Sequence, residues 1–167
     1  MVTILTRIMQ HTLTPAWRAR QVFPTPVLHA IAEAIRLCET RHRGEIRFAV
    51  EAALDFAPLV RQQTAHERAI EVFSQLNIWD TEHNNGVLIY LLLADRNVEI
   101  IADRGINRHV GNEEWQVLCQ DMERAFRAQH YQEGVIQGIH AISAHITRYY
   151  PAQGARANEL PDQPVLL

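Results

Sequence analysis

The sequence predicts an α/β fold, a helix/sheet/helix sandwich with a small mixed sheet made of a parallel crossover and a central antiparallel hairpin. Three observations predict it. The run 87–94 (Val-Leu-Ile-Tyr-Leu-Leu-Leu-Ala) is uncharged and mostly aliphatic, closed at both ends by turn residues, and too short for a bilayer, the pattern of a strand buried on both faces. After Asp95-Arg96-Asn97, which suits a tight turn, Val98, Ile100 and Ala102 alternate with Glu99, Ile101 and Asp103, so the chain folds back as a hairpin. An earlier run, 45–52, alternates strictly, and the helical pattern between it and residue 87 makes a strand, helix, strand crossover that places those two strands parallel.

Each element carries its own signal. In 1–13, Ile4, Leu5, Ile8 and Met9 have the spacing of a short amphipathic helix, to be docked on the core or laid on a membrane or partner surface. Thr14-Pro15 is a second start signal, for a short turn through Trp17 that ends before Phe23-Pro24 and lies as a lid over the core. Residues 1–24 thus form a helical extension. Thr25-Pro26 then starts the first long helix, with Val27, Leu28, Ile31, Ile35 and Cys38 at helical spacing up to Arg41. Gly44 follows its end. The strand 45–52 sets Ile46, Phe48, Val50 and Ala52 on an apolar face, the other face being polar.

A linker holding Pro58 leads to Thr64-Ala65-His66-Glu67, a capping box ahead of Ala69, Ile70, Phe73 and Leu76 that predicts a helix over 64–76. Beyond Gly105 the sequence reads as a loop through Gly111-Asn112, then as two helices. One stripe is Trp115, Leu118, Cys119, Met122 and Phe126; the other is Val135, Ile139, Ile142, Ile146 and Tyr149. Trp79 and Trp115 are expected to cap the core. After Pro151 no period remains, so 151–167 is expected to be an extended or disordered tail on a domain spanning 25–150.

Composition narrows the function. The 167 residues suit one well-buried domain, and a net charge of −3 is too even for a nucleic-acid surface. All 16 basic residues are arginine, which excludes a Schiff-base or P-loop lysine. Cys38 and Cys119 fall singly on helical stripes and read as reduced core thiols. No run is long enough to span a membrane and no export signal is read, so the expected location is cytoplasmic. His140 and His145 are five residues apart, which does not put two zinc ligands on one helical face, and no nucleophile elbow or dinucleotide fingerprint is present.

The chemistry gathers at one end of the sheet. With a turn of two or three residues, Asp103 falls opposite Leu88 or Ile89, and Gly105 opposite Gly86 or Val87. Asp103 and Arg104 therefore return to the end that holds Glu45, Asp80, Glu82, Asn84 and Asn85. Carboxylate and amide oxygens suit a hard divalent cation, calcium or magnesium, with Asp80, Asn84, Asn85, Asp103 and Glu45 as ligands and Arg104 as an anion-binding cation beside them. The run is not an EF-hand, since Asn85 replaces the required Gly and Leu91 the bidentate Glu. The plain alternative is a turn at Asn84-Asn85-Gly86 with acids that merely solvate a loop. At the other end, Asp55, Asp95 and Arg96 sit at the carboxyl ends of the parallel strands, where open α/β sheets bind ligands, although Asp95 and Arg96 also suit a simple turn.

The runs Asn84-Asn85-Gly86-Val87-Leu88-Ile89-Tyr90 and Asp95-Arg96-x-Val98-Glu99-Ile100 with Gly105 resemble the TPM domain family. The resemblance extends back through His42-Arg43-Gly44-Glu45-Ile46, Arg68-Ala69 and Phe73, and forward to Phe126, Tyr131 and Gly134, covering about 25–150. Trp79-Asp80-Thr81, Ala102-Asp103-Arg104-Gly105 and Asn158-Glu159-Leu160-Pro161-Asp162 make it most similar to short soluble bacterial members. The resemblance implies a helix/sheet/helix sandwich used in several roles, among them photosystem repair in the chloroplast lumen and an auxiliary subunit of a membrane receptor. It also implies divalent-cation binding in some members and a weak acid phosphatase activity attributed to the fold. Two functions follow as expectations. One is a non-catalytic module that binds a cation and a protein partner, which includes a partner at a membrane, with no nucleic acid involved; the other is a weak metal-assisted phosphomonoesterase.

Overall fold

A computed structural model describes residues 4–154 and 157–167. The first three residues of the expected N-terminal helix lie outside that range. The elements follow in the order α1 (Ile4–Thr12), α2 (Trp17–Val22), α3 (Thr25–Glu39), β1 (Glu45–Glu51), α4 (Phe56–Val60), α5 (Ala65–Gln75), β2 (Gly86–Leu92), β3 (Asn97–Ala102), α6 (Arg104–Val110), α7 (Asn112–Arg127), α8 (Tyr131–Tyr149) and β4 (Val165–Leu166).

The sheet has the strand order β3-β2-β1-β4. β1 and β2 run parallel with Glu45 beside Gly86, and β2 and β3 run antiparallel, as the sequence predicts. The crossover helix α5 begins at the expected capping box, with Thr64 and Glu67 each accepting the other's backbone N–H. β2 is buried along its whole length, which is why its sequence shows no alternation.

The sheet separates two apolar layers. On one face Ile46, Phe48, Val50, Val87, Ile89 and Leu91 pack against α3, α7 and α8 through Ile31, Ile35, Met122, Phe126, Ile139 and Ile142. On the other, Ala49, Leu88, Tyr90 and Leu92 pack against Leu59 of α4, Ala69 and Val72 of α5, Ile78 and Leu160. This is the helix/sheet/helix sandwich. Burying a side chain such as Phe48 or Ile89 contributes about 2–3 kcal/mol, so the two layers dominate stability.

Four features depart from the sequence reading. The hairpin turn is four residues long, 93–96, with Arg96 in the left-handed region at φ +52°, so Leu92 pairs with Asn97 and Val87 with Ala102. Asp103 therefore sits beside Gly86, whose carbonyl accepts its backbone N–H at 2.9 Å, rather than beside Leu88 or Ile89. The expected loop after Gly105 is the short helix α6, and the linker holding Pro58 contains α4; neither is long enough to show a period. The end of the tail is an added parallel strand, with Ala49 beside Val165 and Val50 beside Leu166, which covers what would otherwise be the open edge of β1. Trp115 caps the core as expected, but Trp79 is 52% exposed because its neighbour Ile78 takes the buried position in that turn.

The helix α1 docks by its polar side. Ile8 reaches the second layer, while Arg7 and His11 point inward to Asp95, leaving Leu5, Met9 and Leu13 exposed. Among the described residues no helix is long and apolar enough to cross a membrane.

Candidate functional site

The rim at the start of β1 and β2 is assembled by backbone closure. After α5, Asn77 at φ +52° turns the chain, and Ile78 packs so tightly on Gly86 that a Cβ there would meet the Ile78 carbonyl at 2.3 Å. Asn84, at φ +51°, directs its carbonyl to the N–H of Ile106 at 3.2 Å. Gly105 is required where α6 begins, since a Cβ would lie 2.3 Å from the Asn84 carbonyl oxygen. The loop 80–85 and the Asp103-Arg104-Gly105 corner are thereby held against each other, as the sequence predicts in outline.

The side chains there have different fates. Asn85 is fully buried; its Nδ2 donates to the Arg43 carbonyl at 3.0 Å, and its Oδ1 is buried with no hydrogen-bond partner. Asp103 caps α6, Oδ1 accepting the N–H of Arg104 at 2.7 Å, and its Oδ2 is likewise buried without a partner. Register puts these two residues on either side of one ladder position, because Asp103 adjoins Gly86 and Asn85 precedes it. A buried acceptor without a donor costs about 1–3 kcal/mol, so each of these oxygens is a place where a bound donor or cation would be stabilising.

Glu45 is fully buried, and its two carboxylate oxygens accept the N–H groups of Glu159 at 3.3 Å and Leu160 at 3.2 Å. It holds the tail. Glu159 in turn accepts the N–H of Glu82 at 2.8 Å, so the tail is laced to the loop beside the rim. Asp80 is exposed, with no hydrogen bond or ion pair to its carboxylate among the described residues, and the guanidinium of Arg104 is exposed and equally unpaired. Among the described residues no three His, Cys, Asp or Glu side chains form a group that could hold a metal ion. Carboxylate and amide side chains are both present at this end, the donor types a hard cation takes.

One wall of the rim is not foreseen from sequence. His83 stacks on Tyr150 with centroids 6.3 Å apart, and His109 of α6 stacks on Tyr149 at 4.7 Å, forming an aromatic ladder at the end of α8. Tyr149 is visible as the last member of its helical stripe. His83 and His109 carry no such signal, because loop and short helix lack a period.

The opposite end of the sheet looks different. Asp95 is engaged by Arg7 at 2.7 Å and by His11 Nε2 at 2.9 Å. Because Leu54 donates its N–H to His11 Nδ1 at 2.9 Å, the imidazole carries its proton on Nε2 and donates it to Asp95. Burial pushes the Asp95 carboxyl up, but the hydrogen bonds from Arg7 and His11 and the charge of Arg7 outweigh it, and the group lies below the usual aspartate range. On the α5 face, Tyr90 donates to Glu51 at 2.6 Å while Arg68 holds the same carboxylate through two bonds, 2.9 and 3.1 Å. Burial, then the Glu51 charge, raises the phenol far above the ordinary tyrosine value, so Tyr90 stays protonated and structural.

A mixed four-stranded sheet between two helical layers defines a small α/β domain. The chain belongs to the TPM domain family, whose model matches residues 19–145. Among solved structures it is similar to the BA42 protein of the psychrophilic bacterium Bizionia argentinensis, with 28% identity and a TM-score of 0.75 over 86% of this chain and 94% of that one. It is also similar to the N-terminal domain of a protein from P. gingivalis, with 14% identity and a TM-score of 0.61 over 85% of this chain and 95% of that one, a likeness of fold. No curated protein matches the chain.

Proposed function

We propose that the chain is a non-catalytic interaction module whose rim binds calcium or magnesium and, in doing so, orders the loop 80–85 for a protein partner. The observation that carries this reading is two buried, unpartnered oxygens, Asn85 Oδ1 and Asp103 Oδ2, on residues linked through Gly86, which follows Asn85 and accepts the Asp103 N–H. A hard cation takes carboxylate, amide and water oxygens together, and Asp80 and the side chain of Asn84 complete such a set from the exposed side. Glu45 acts behind them by fixing the tail. Fold alone does not choose the function, so the reading rests on these oxygens.

A ligand bound only by the folded state raises the unfolding midpoint, by an amount that grows with the logarithm of ligand concentration above Kd. Thermal unfolding with millimolar calcium or magnesium is therefore expected to show a concentration-dependent rise, abolished by Asp103→Asn. A midpoint unchanged by both ions would overturn the proposal.

The exposed, unpaired Arg104 beside Asp103 supports a second reading, a weak acid phosphatase that uses the same ion. Arg104 would hold phosphoryl oxygens while Asp80 or Asp103 activates water. Phosphate release from an aryl phosphate that persists in Asp103→Asn would argue against it.

A further inference from the structure

A cleft of about 400 Å³ opens at the other end of the sheet, between the α1–α2 connection, the hairpin turn and the α7–α8 corner. That end is the carboxyl side of the parallel strands, where open α/β sheets bind ligands, and the volume lies in the range of small-molecule sites, about 300–1,000 Å³. Leu13, Val22, Leu91 and Leu93 give it apolar walls, and Phe126 stacks on Tyr131 with centroids 5.2 Å apart and planes 19° from parallel.

Its charged lining is unbalanced. Arg18, Arg96 and Arg127 face one acid, Glu123. Glu123 is already committed, accepting from Val98 N at 3.1 Å and from Arg127 at 3.3 Å. Arg18 bonds Gln21 at 2.7 Å, whereas the Arg96 guanidinium is exposed and has no partner among the described residues. The segment that forms one wall adds to this sign, since the chain has no acidic residue before Glu33 and, besides the Asp95-paired Arg7, carries Arg18 and Arg20 there. Two lining residues, Arg96 at φ +52° and Gln129 at φ +65°, hold polar side chains at left-handed positions where glycine would be unstrained.

We propose that this cleft binds a small organic anion, a carboxylate or phosphoryl group on an apolar body, with Arg96 as the anchoring cation. The apolar body rests against Leu13, Val22 and the Phe126–Tyr131 stack, and the anion meets Arg96 and Gln129 at the rim. Arg18 and Arg127 strengthen the local positive potential. The site is separate from the cation rim, so either can fail without the other.

The test is a titration of the full chain followed by backbone amide shifts, with 3-phenylpropionate and phenylphosphonate as probes and 3-phenylpropanol and inorganic phosphate as controls. Saturable shifts at Arg96, Gln129 and Tyr131 are expected with one or both organic anions, and at least about fivefold weaker binding by the controls. Whichever anion saturates identifies the head group. Arg96→Gly keeps the turn, because glycine adopts that φ freely, and should hold the thermal midpoint while weakening the anion about fivefold. Absence of saturation with both anions, equal binding of the alcohol, or undiminished affinity in Arg96→Gly would overturn the proposal.

Discussion

The carboxylate of Glu45, at the first position of β1, accepts the backbone N–H of Leu160, 115 residues further along the chain, at 3.2 Å. Its other oxygen takes the N–H of Glu159, so one buried side chain holds the tail across the outer face of the strand. Arg47, two residues on, donates to the carbonyls of Pro161 and Gln163, and β4 then closes the edge. The polar face of β1 is thus engaged by the tail and by α5. Glu45→Gln keeps one acceptor and should cost about 1–2 kcal/mol, and Glu45→Ala about 2–3 kcal/mol, in urea unfolding. Amide exchange at Leu160 and Leu167 should accelerate together in both; unchanged protection there would mean that Glu45 does not hold the tail.

Asp103 has two separable roles. Oδ1 caps α6 and Oδ2 faces the proposed ion, so the two obvious substitutions should differ in one measurement and agree in another. Asp103→Asn retains a capping oxygen and should remain within about 0.5 kcal/mol of the parent, whereas Asp103→Ala should lose about 1 kcal/mol. Both should lose the calcium-dependent rise in midpoint. If Asp103→Asn still responds to the ion, the ligand set is wrong even though the cap is right.

Neither cysteine should react readily. Cys38 is buried, and burial together with the charges of Glu99 and Glu123 pushes the Cys119 thiol up to about 12. The thiolate is the reactive form, so at pH 8 native Cys119 should alkylate roughly a thousandfold more slowly than a free thiol. Mass spectrometry after iodoacetamide treatment should find neither residue labelled in the native protein and both labelled in guanidinium; rapid native labelling would show that the α7 packing around Cys119 opens.

Much of this was legible in residues that state their own geometry. The alternation of Ile46, Phe48, Val50 and Ala52, the uninterrupted 87–94 run and the Thr64/Glu67 capping box are local signals that tertiary structure did not override. Counting back along a hairpin is enough to bring Asp103 to the end of the sheet that holds Asn85, although a four-residue turn, longer than the two or three expected, moves the register to Gly86. Other features depend on partners distant in the chain. No period marks Val165–Leu166 as a strand; it becomes one because β1 offers an edge. Glu45 reads as a ligand until the tail that engages it is seen. Periodicity also cannot say which side of α1 faces inward, and here the decisive contact is Arg7 with Asp95, 88 residues apart.

That contact makes the docking of α1 sensitive to acid. Asp95 has a depressed carboxyl because Arg7 and His11 outweigh its burial, so its pairing contributes fully above the unfolded value near 4 and is lost as pH falls through the lower folded value. The pair is only partly buried, which limits its contribution to about 1–2 kcal/mol at neutral pH. Asp95→Asn should therefore be less stable than the parent by that amount at pH 7, and the two stability curves should approach each other as pH falls below the unfolded value and meet below the folded one. Exchange of the Leu54 amide should follow the same curve, because its acceptor is the ring of His11 that Asp95 orients. A constant difference between the two proteins from pH 7 down to pH 3 would show that the charge on Asp95 is not what fastens α1.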